Sequence, residues 1–278
     1  MDDHGVHRAI SADGTEIAGR VIGQGPPLVL VHGGLGDGEL TWRGMLPLLA
    51  DRFTCYTMST RGRGLSAAPS PADYTLHRLV DDVVAFVDSV GGPVGLAGYS
   101  SGGMYALGAA ARSAAVRAVA AYEPPVLAAS EEDRQRFAAA AARLEEQVAD
   151  GRLADGARTM ISIVAHDDEL AALTAAGAFE EWARNVPVGR QEVRHAAAGD
   201  GPNPIAPEAL ARIAAPVLFL HGSRAHSWYR NGARHLAEHV ADLQVGEVPG
   251  VGHFGLLLEP APVADALVRF FEAAPRPA

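Results

Sequence analysis

Short runs that are apolar at nearly every position limit the fold more than any other feature of this chain. Pro27–His32, Pro93–Tyr99 and Pro216–His221 are such runs. A run of this length without a polar face reads as a strand buried on both sides, as in the interior of a parallel sheet. Parallel neighbours need crossover connections, and helical signals lie between the runs. The clearest puts Leu76, Leu79, Val80, Val83, Val84, Val87 and Val90 on one face at spacings of three and four, with Asp73 or Thr75 to cap its start and Gly91-Gly92 to end it. Phe53–Met58, Val116–Tyr122 and Leu243–Val248 read as further strands. Trp42–Ala50, Ser101–Ala111, Trp228–Val240 and Pro262–Phe271 read as helices, the last with proline in its first turn. At the start, His7–Ser11 and Glu16–Ile22 flank Asp13-Gly14 as a hairpin would, adding antiparallel strands at one edge. The expected class is α/β: a mostly parallel, eight-stranded sheet covered by helices on both faces.

The alternation is interrupted once. From about Ala128 to Pro207 only helical stretches appear, beginning with Ser130 as a cap before Glu131, Glu132 and Asp133. This segment reads as a helical cap inserted between two strands, giving a core domain of residues 1–127 and 208–278 and a cap of residues 128–207. Its apolar residues, among them Met160, Ile161, Ile163, Val164, Phe179, Trp182 and Val186, either line a pocket or bury the cap against the sheet. His166-Asp167-Asp168 reads as a solvated turn. There are no internal repeats.

Composition removes several chemistries. All 23 basic residues are arginine, which excludes a Schiff-base lysine, pyridoxal phosphate attachment and a P-loop lysine. A net charge of −10 argues against nucleic acid or an anionic membrane as partner. Cys55, the single cysteine, lies in an apolar run and reads as a buried structural thiol. No apolar run approaches the roughly 20 residues needed to span a bilayer, and Met1–Ala9 has no apolar signal region. The expected location is the cytoplasm.

Three motifs carry chemistry. Gly98-Tyr99-Ser100-Ser101-Gly102 matches G-x-S-x-G between a buried strand and a helix, where a sharp turn lifts a hydroxyl out of the backbone. The spacing selects Ser100, because Ser101 would need glycine at Tyr99. A nucleophilic serine needs backbone N–H groups aimed at the developing oxyanion. Ser101, at a helix N-terminus, supplies one, and Gly34 in His32-Gly33-Gly34, or else Leu35, the second. His253, in a glycine-rich loop after the last strand, is placed to serve as general base.

Together with Arg61-Gly62-Arg63-Gly64 and the helical segment after the sixth strand, these motifs make the chain resemble the α/β-hydrolase fold superfamily along nearly its whole length. With serine at position 100 it resembles the esterase, lipase, lactonase and thioesterase branches. The related haloalkane dehalogenases and epoxide hydrolases carry aspartate there. The resemblance implies a small-molecule substrate and no metal or organic cofactor. One position departs from it. The acid usually follows the seventh strand, where this chain has Gly222-Ser223-Arg224-Ala225-His226-Ser227, with Ala225 at the usual place. Some members carry the acid one strand earlier, and Glu123 stands there. A degraded triad, or an acid from the cap, are the alternatives.

The expected function is therefore a cofactor-free serine hydrolase of a small hydrophobic ester, lactone or thioester, using Ser100, His253 and Glu123 with Gly34 and Ser101 as oxyanion donors. An acyltransferase, C–C hydrolase or lyase on the same machinery, or a non-catalytic binding member, remain as rivals. Two weaker patterns point elsewhere. His235-Leu236-Ala237-Glu238-His239 matches H-x-x-E-H, but on a helix expected at the surface. Gly34-Leu35-Gly36-Asp37-Gly38 lacks the third glycine of a dinucleotide loop, having Glu39 there.

Overall fold

The computed structural model describes residues 5–126, 131–198 and 202–274. Its strands are β1 (Val6–Ile10), β2 (Glu16–Gly23), β3 (Pro27–Val31), β4 (Thr54–Met58), β5 (Val94–Tyr99), β6 (Val116–Tyr122), β7 (Val217–Gly222) and β8 (Leu243–Val248). They form one eight-stranded sheet in the order β1-β2-β4-β3-β5-β6-β7-β8. β2 pairs antiparallel with β1 and β4, and every other pairing is parallel. The expected α/β class, with its hairpin at one edge, is the observed one.

The helices are α1 (Leu46–Leu49), α2 (Leu76–Ser89), α3 (Ser101–Ala110), α4 (Glu131–Ala149), α5 (Leu153–Ile161), α6 (Asp167–Ala175), α7 (Ala178–Trp182), α8 (Val186–Ala198), α9 (Pro207–Leu210), α10 (Ser227–His239), α11 (Gly255–Leu258) and α12 (Pro260–Ala273). The continuous apolar strands feed two cores because successive side chains leave a strand on opposite faces. In β3, Val29 and Val31 pack with Val83, Phe86 and Leu107, while Leu28 and Leu30 pack with Trp42, Leu49 and Phe271. Cys55 belongs to the second core, where burial pushes its thiol up to about 12.

Two expected helices have different bounds. The helix expected over Trp42–Ala50 is regular only over Leu46–Leu49, with isolated turns before it. Pro47 has no N–H to give to Arg43, so an α-helical ladder cannot run through it. The last helix starts at Pro260, two residues before the expected Pro262. The amphipathic helix α2 is capped by Thr75, whose hydroxyl accepts from Arg78 N at 3.4 Å, but its buried face also includes Asp82. Arg61 meets that carboxylate with two N–H groups, at 2.7 and 2.5 Å. Such a pair is tolerated in a core only with its hydrogen bonds made, and it anchors the turn after β4.

Between β6 and β7 the described residues contain helices and no strand. The expected Ser130 cap and the 127/128 boundary lie outside the described residues. α4 to α8 share an apolar cluster with Leu35, Leu40 and Phe254, which belong to the loops after β3 and β8. Phe179 and Val186 are buried in that cluster. His166-Asp167-Asp168 is a helix start in place of the expected turn, with both aspartates exposed. It opens α6 against the loop after β7, where His166 Nε2 lies 2.6 Å from Arg224 O and Asp168 pairs with Arg224 at 2.6 and 2.8 Å. His235 on α10 lies 3.0 Å from Ile205 O.

Candidate active site

Ser100 sits between β5 and α3 with φ +52° and ψ −127°, a conformation that non-glycine residues rarely adopt. Its flanking glycines are sterically required. A Cβ on Gly98 would meet Gly102 O at 2.3 Å, and one on Gly102 would meet His32 O at 2.3 Å. The obstacles are backbone atoms of the turn and of the neighbouring strand end, so nothing can yield.

Glu123 directly follows β6 with φ +45°, the second strained position of the described chain. It is fully buried. Its Oε1 accepts from Gly222 N at 2.9 Å and its Oε2 lies 2.8 Å from His253 Nδ1. The β6–β7 pairing makes this possible, since it brings the N–H at the end of β7 under the carboxylate. With Nδ1–H donating to Glu123, Nε2 carries the lone pair, and it lies 3.2 Å from Ser100 Oγ. The structure thus aligns Ser100, His253 and Glu123 in one hydrogen-bonded row. Ala225 is buried, and its carbonyl accepts from Arg230 at 2.6 Å.

The imidazole is held by groups that sequence reading did not single out. Tyr229 stacks on His253 with ring centroids 4.8 Å apart and planes within 7°, and Tyr99 lies tilted against it at 5.1 Å. Burial pushes both phenols well above their ordinary range, so they stay protonated. Tyr122 donates to Gly252 O at 2.6 Å and fixes the backbone before His253. Nothing in the local sequence marks these tyrosines, because each acts across a long sequence gap.

Gly34 and Ser101 lie side by side: a Cβ on Gly34 would reach Ser101 Oγ at 4.0 Å. Ser101 opens α3, where a first-turn N–H has no intrahelical acceptor. The loop bearing Gly34 is fixed by Arg63, which donates to Gly34 O and pairs with Glu192 of α8 at 2.8 Å. Burial pushes the Glu192 carboxyl up. His32 is wholly buried, placing Nδ1 2.9 Å from Gly33 O and accepting from Thr60 N at Nε2, 3.0 Å. Burial lowers it to about 4, so it stays neutral and braces this loop rather than titrating near neutrality. A cavity of about 140 Å³ opens onto Ser100 and His253, walled by Leu35, Met160, Ile161, Val164, Trp182 and Phe254. The apolar cap residues are thereby divided: Met160, Ile161, Val164 and Trp182 reach the cavity, while Phe179 and Val186 serve the packing.

This architecture has known counterparts. The model of the alpha/beta hydrolase family matches residues 28–266. The chain belongs to the alpha/beta hydrolase family. Among curated relatives, a 2-hydroxy-6-oxo-6-(2'-aminophenyl)hexa-2,4-dienoic acid hydrolase of Metapseudomonas resinovorans is 33% identical over 107 residues, 37% of each chain. A pimeloyl-[acyl-carrier protein] methyl ester esterase of Aeromonas hydrophila is 36% identical over 84 residues, 30% of this chain and 32% of that one. The matched stretch spans about a third of the length of each relative. Among solved structures, an alpha/beta hydrolase from Sphaerobacter thermophilus is 28% identical with a TM-score of 0.73, covering 95% of this chain and 100% of that one. The two curated relatives are named as a hydrolase and an esterase. Among the described residues no helix is long and apolar enough to cross a membrane.

Proposed function

We propose that this alpha/beta hydrolase is a cofactor-free serine hydrolase acting on small, uncharged, apolar esters, lactones or thioesters through an acyl-enzyme on Ser100. The observation that carries the reading is the row Ser100 Oγ–His253 Nε2 at 3.2 Å and His253 Nδ1–Glu123 Oε2 at 2.8 Å. Ser100 attacks the carbonyl carbon while His253 takes its proton. The backbone N–H groups of Gly34 and Ser101 receive the charge that forms on the carbonyl oxygen. His253 then gives the proton to the leaving group, and Glu123 stabilises the imidazolium and keeps its tautomer. A water molecule, deprotonated by His253, releases the acyl group. Residues 128–207 act as a cap over a core of residues 1–127 and 208–278.

Two features support the substrate class. The cavity of about 140 Å³ is close to one of about 150 Å³ that holds benzene, which fits an acyl group of about six heavy atoms. Its walls are mostly apolar, and the cations nearest the loop after β3 are engaged: Arg63 with Glu192 and Arg184 with Asp37. Acid substrates such as the one in the Metapseudomonas relative's name therefore fit less well than neutral ones, and ester cleavage, as in the Aeromonas relative's name, is favoured. The test is a series of p-nitrophenyl esters of graded acyl length beside neutral and carboxylate-bearing lactones. The expected result is a maximum in kcat/KM at short acyl chains with weak turnover of the charged substrates. No ester or lactone turnover, and no Ser100 labelling by a phosphonate, would remove the reading.

A further inference from the structure

The segment His166-Asp167-Asp168-Glu169 opens α6 in the cap, and its last residue is buried with only 4% of its surface exposed. One oxygen of Glu169 accepts from His166 N at 2.9 Å, closing the first turn of α6 in the manner of a capping box. The other leaves the cap altogether and accepts from Phe254 N at 2.9 Å. Phe254 follows His253 directly. The carboxylate also fills the space beside Gly252, where a Cβ would meet Glu169 Oε1 at 2.7 Å. The backbone around His253 is therefore held from two sides. Tyr122 of β6 takes Gly252 O from the core, and Glu169 takes Phe254 N from the cap.

The cap is docked at the same place by a second set of contacts. Arg224 of the loop after β7 pairs with Asp168 and offers its carbonyl to His166, and the His166 and His226 rings stack with centroids 4.5 Å apart. The N-terminus of α6 thus touches both loops that flank the imidazole. A peptide N–H that loses its buried acceptor is costly unless the backbone turns to find another. At the residue after His253, that turn would move the ring off the line between Glu123 and Ser100.

We propose that Glu169 is a positioning residue that makes the base depend on the cap. While α6 is seated, Phe254 N–H is satisfied and His253 Nε2 faces Ser100. When α6 lifts, the loop relaxes and the row is broken. Closure over a substrate then completes the reacting constellation, as well as excluding water. The inference rests on the proposed roles of Ser100 and His253.

The test uses the full chain with a small p-nitrophenyl phosphonate, a short-chain p-nitrophenyl ester and proton NMR of the His253 Nδ1–H resonance. Wild-type labelling at Ser100 comes first, because its absence would defeat the hydrolase reading before Glu169 is tested. Given that labelling, Glu169→Ala is expected to lower both the labelling rate and kcat by up to about 10²-fold, the cost of a misplacement near 1 Å. KM should stay within about twofold, and the downfield Nδ1–H signal should broaden or shift. Glu169→Gln keeps the volume but cannot accept from both N–H groups, and should fall between the two. Should the alanine variant not fold, the glutamine variant decides. A folded variant with unchanged labelling, kcat and Nδ1–H signal would overturn the proposal. So would a change confined to KM, which would place Glu169 in substrate binding instead.

Discussion

The two halves of the candidate site are held in different ways. Ser100 is fixed by backbone: Gly98 and Gly102 allow the turn, Tyr122 O accepts from Ser100 N at 2.9 Å, and the strand ends leave no freedom. His253 is fixed by side chains from three distant places: Tyr122 and Glu123 at the end of β6, Tyr229 of α10 and Glu169 of α6. A nucleophile set by its own turn is a local device that survives changes elsewhere. A base set by remote side chains can be tuned, and lost, from any of them.

Breaking the nucleophile should have the largest effect. Ser100→Ala is expected to lower kcat by about 10⁴ or more while leaving the melting temperature near its starting value, since alanine meets the same backbone strain at φ +52° as serine and both flanking glycines are kept. Ser101→Ala, which keeps the backbone N–H, should leave turnover within several-fold. The reverse result in steady-state kinetics would show that the elbow had been assigned to the wrong serine.

Next comes the acid. In Glu123→Gln the amide has one acceptor and one donor end, but Gly222 N–H and His253 Nδ1–H both need acceptors. If the amide oxygen serves Gly222, its NH₂ faces Nδ1 and forces the tautomer that carries a proton on Nε2. If it serves His253, two donors meet at Gly222. Either way kcat should fall by about 10²–10⁴. An unchanged kcat would point to an imidazole oriented by other groups, with Glu123 serving only the β6–β7 junction.

The same division explains what could be read from the sequence. The elbow, the sheet and α2 obey spacing rules that act within ten residues or so, and the residues that satisfy those rules, such as Gly98 with Gly102, are neighbours in the chain. His253 could be found from its glycine-rich loop, and Glu123 by its place at the end of β6. Their supports could not. Tyr229 lies on α10 with no pattern around it, and Glu169 follows His166-Asp167-Asp168, which reads as a solvated turn, with nothing local to set it apart. The buried Asp82 was missed for a related reason: α2 reads as a stripe of valines, and only the fold shows that Arg61 comes to meet it. Pro47 shortens α1 by a rule the sequence already carries, since proline has no N–H for the ladder.

The loop after β3 offers a smaller test, through pH. His32 titrates at about 4 in the folded chain because burial disfavours its charged form, against an ordinary value of 6.5. Between those values the unfolded chain binds a proton there that the folded chain does not, so stability rises with pH across the window. The contribution is fully present above about 6.5 and is lost as pH falls through 4. At about 1.4 kcal/mol per unit it amounts to roughly 3 kcal/mol. Thermal melts from pH 7 to pH 4 should show that slope, and His32→Gln should flatten it even if its melting temperature at pH 7 is lower. An unchanged slope would mean that other histidines carry the acid sensitivity.

The smallest effect sharpens the contrast between the two loops directly. The three atoms nearest a Cβ at Gly252 all belong to the Glu169 carboxylate, Oε1 first at 2.7 Å, whereas those nearest a Cβ at Gly98 or Gly102 are backbone. A side chain can swing aside, so Gly252→Ala should fold and keep most of its stability. The movement takes Glu169 off Phe254 N, so the cost should appear in the base and not in the nucleophile turn. The expected result is a fall in kcat of up to about tenfold, about 1.4 kcal/mol in the barrier, with KM little changed. In a Glu169→Ala background the obstacle is gone, and adding Gly252→Ala should cost almost nothing further. Losses that simply add in the double variant would show that Gly252 is needed for its own backbone freedom, and that the loop bearing His253 is set locally, as the elbow is.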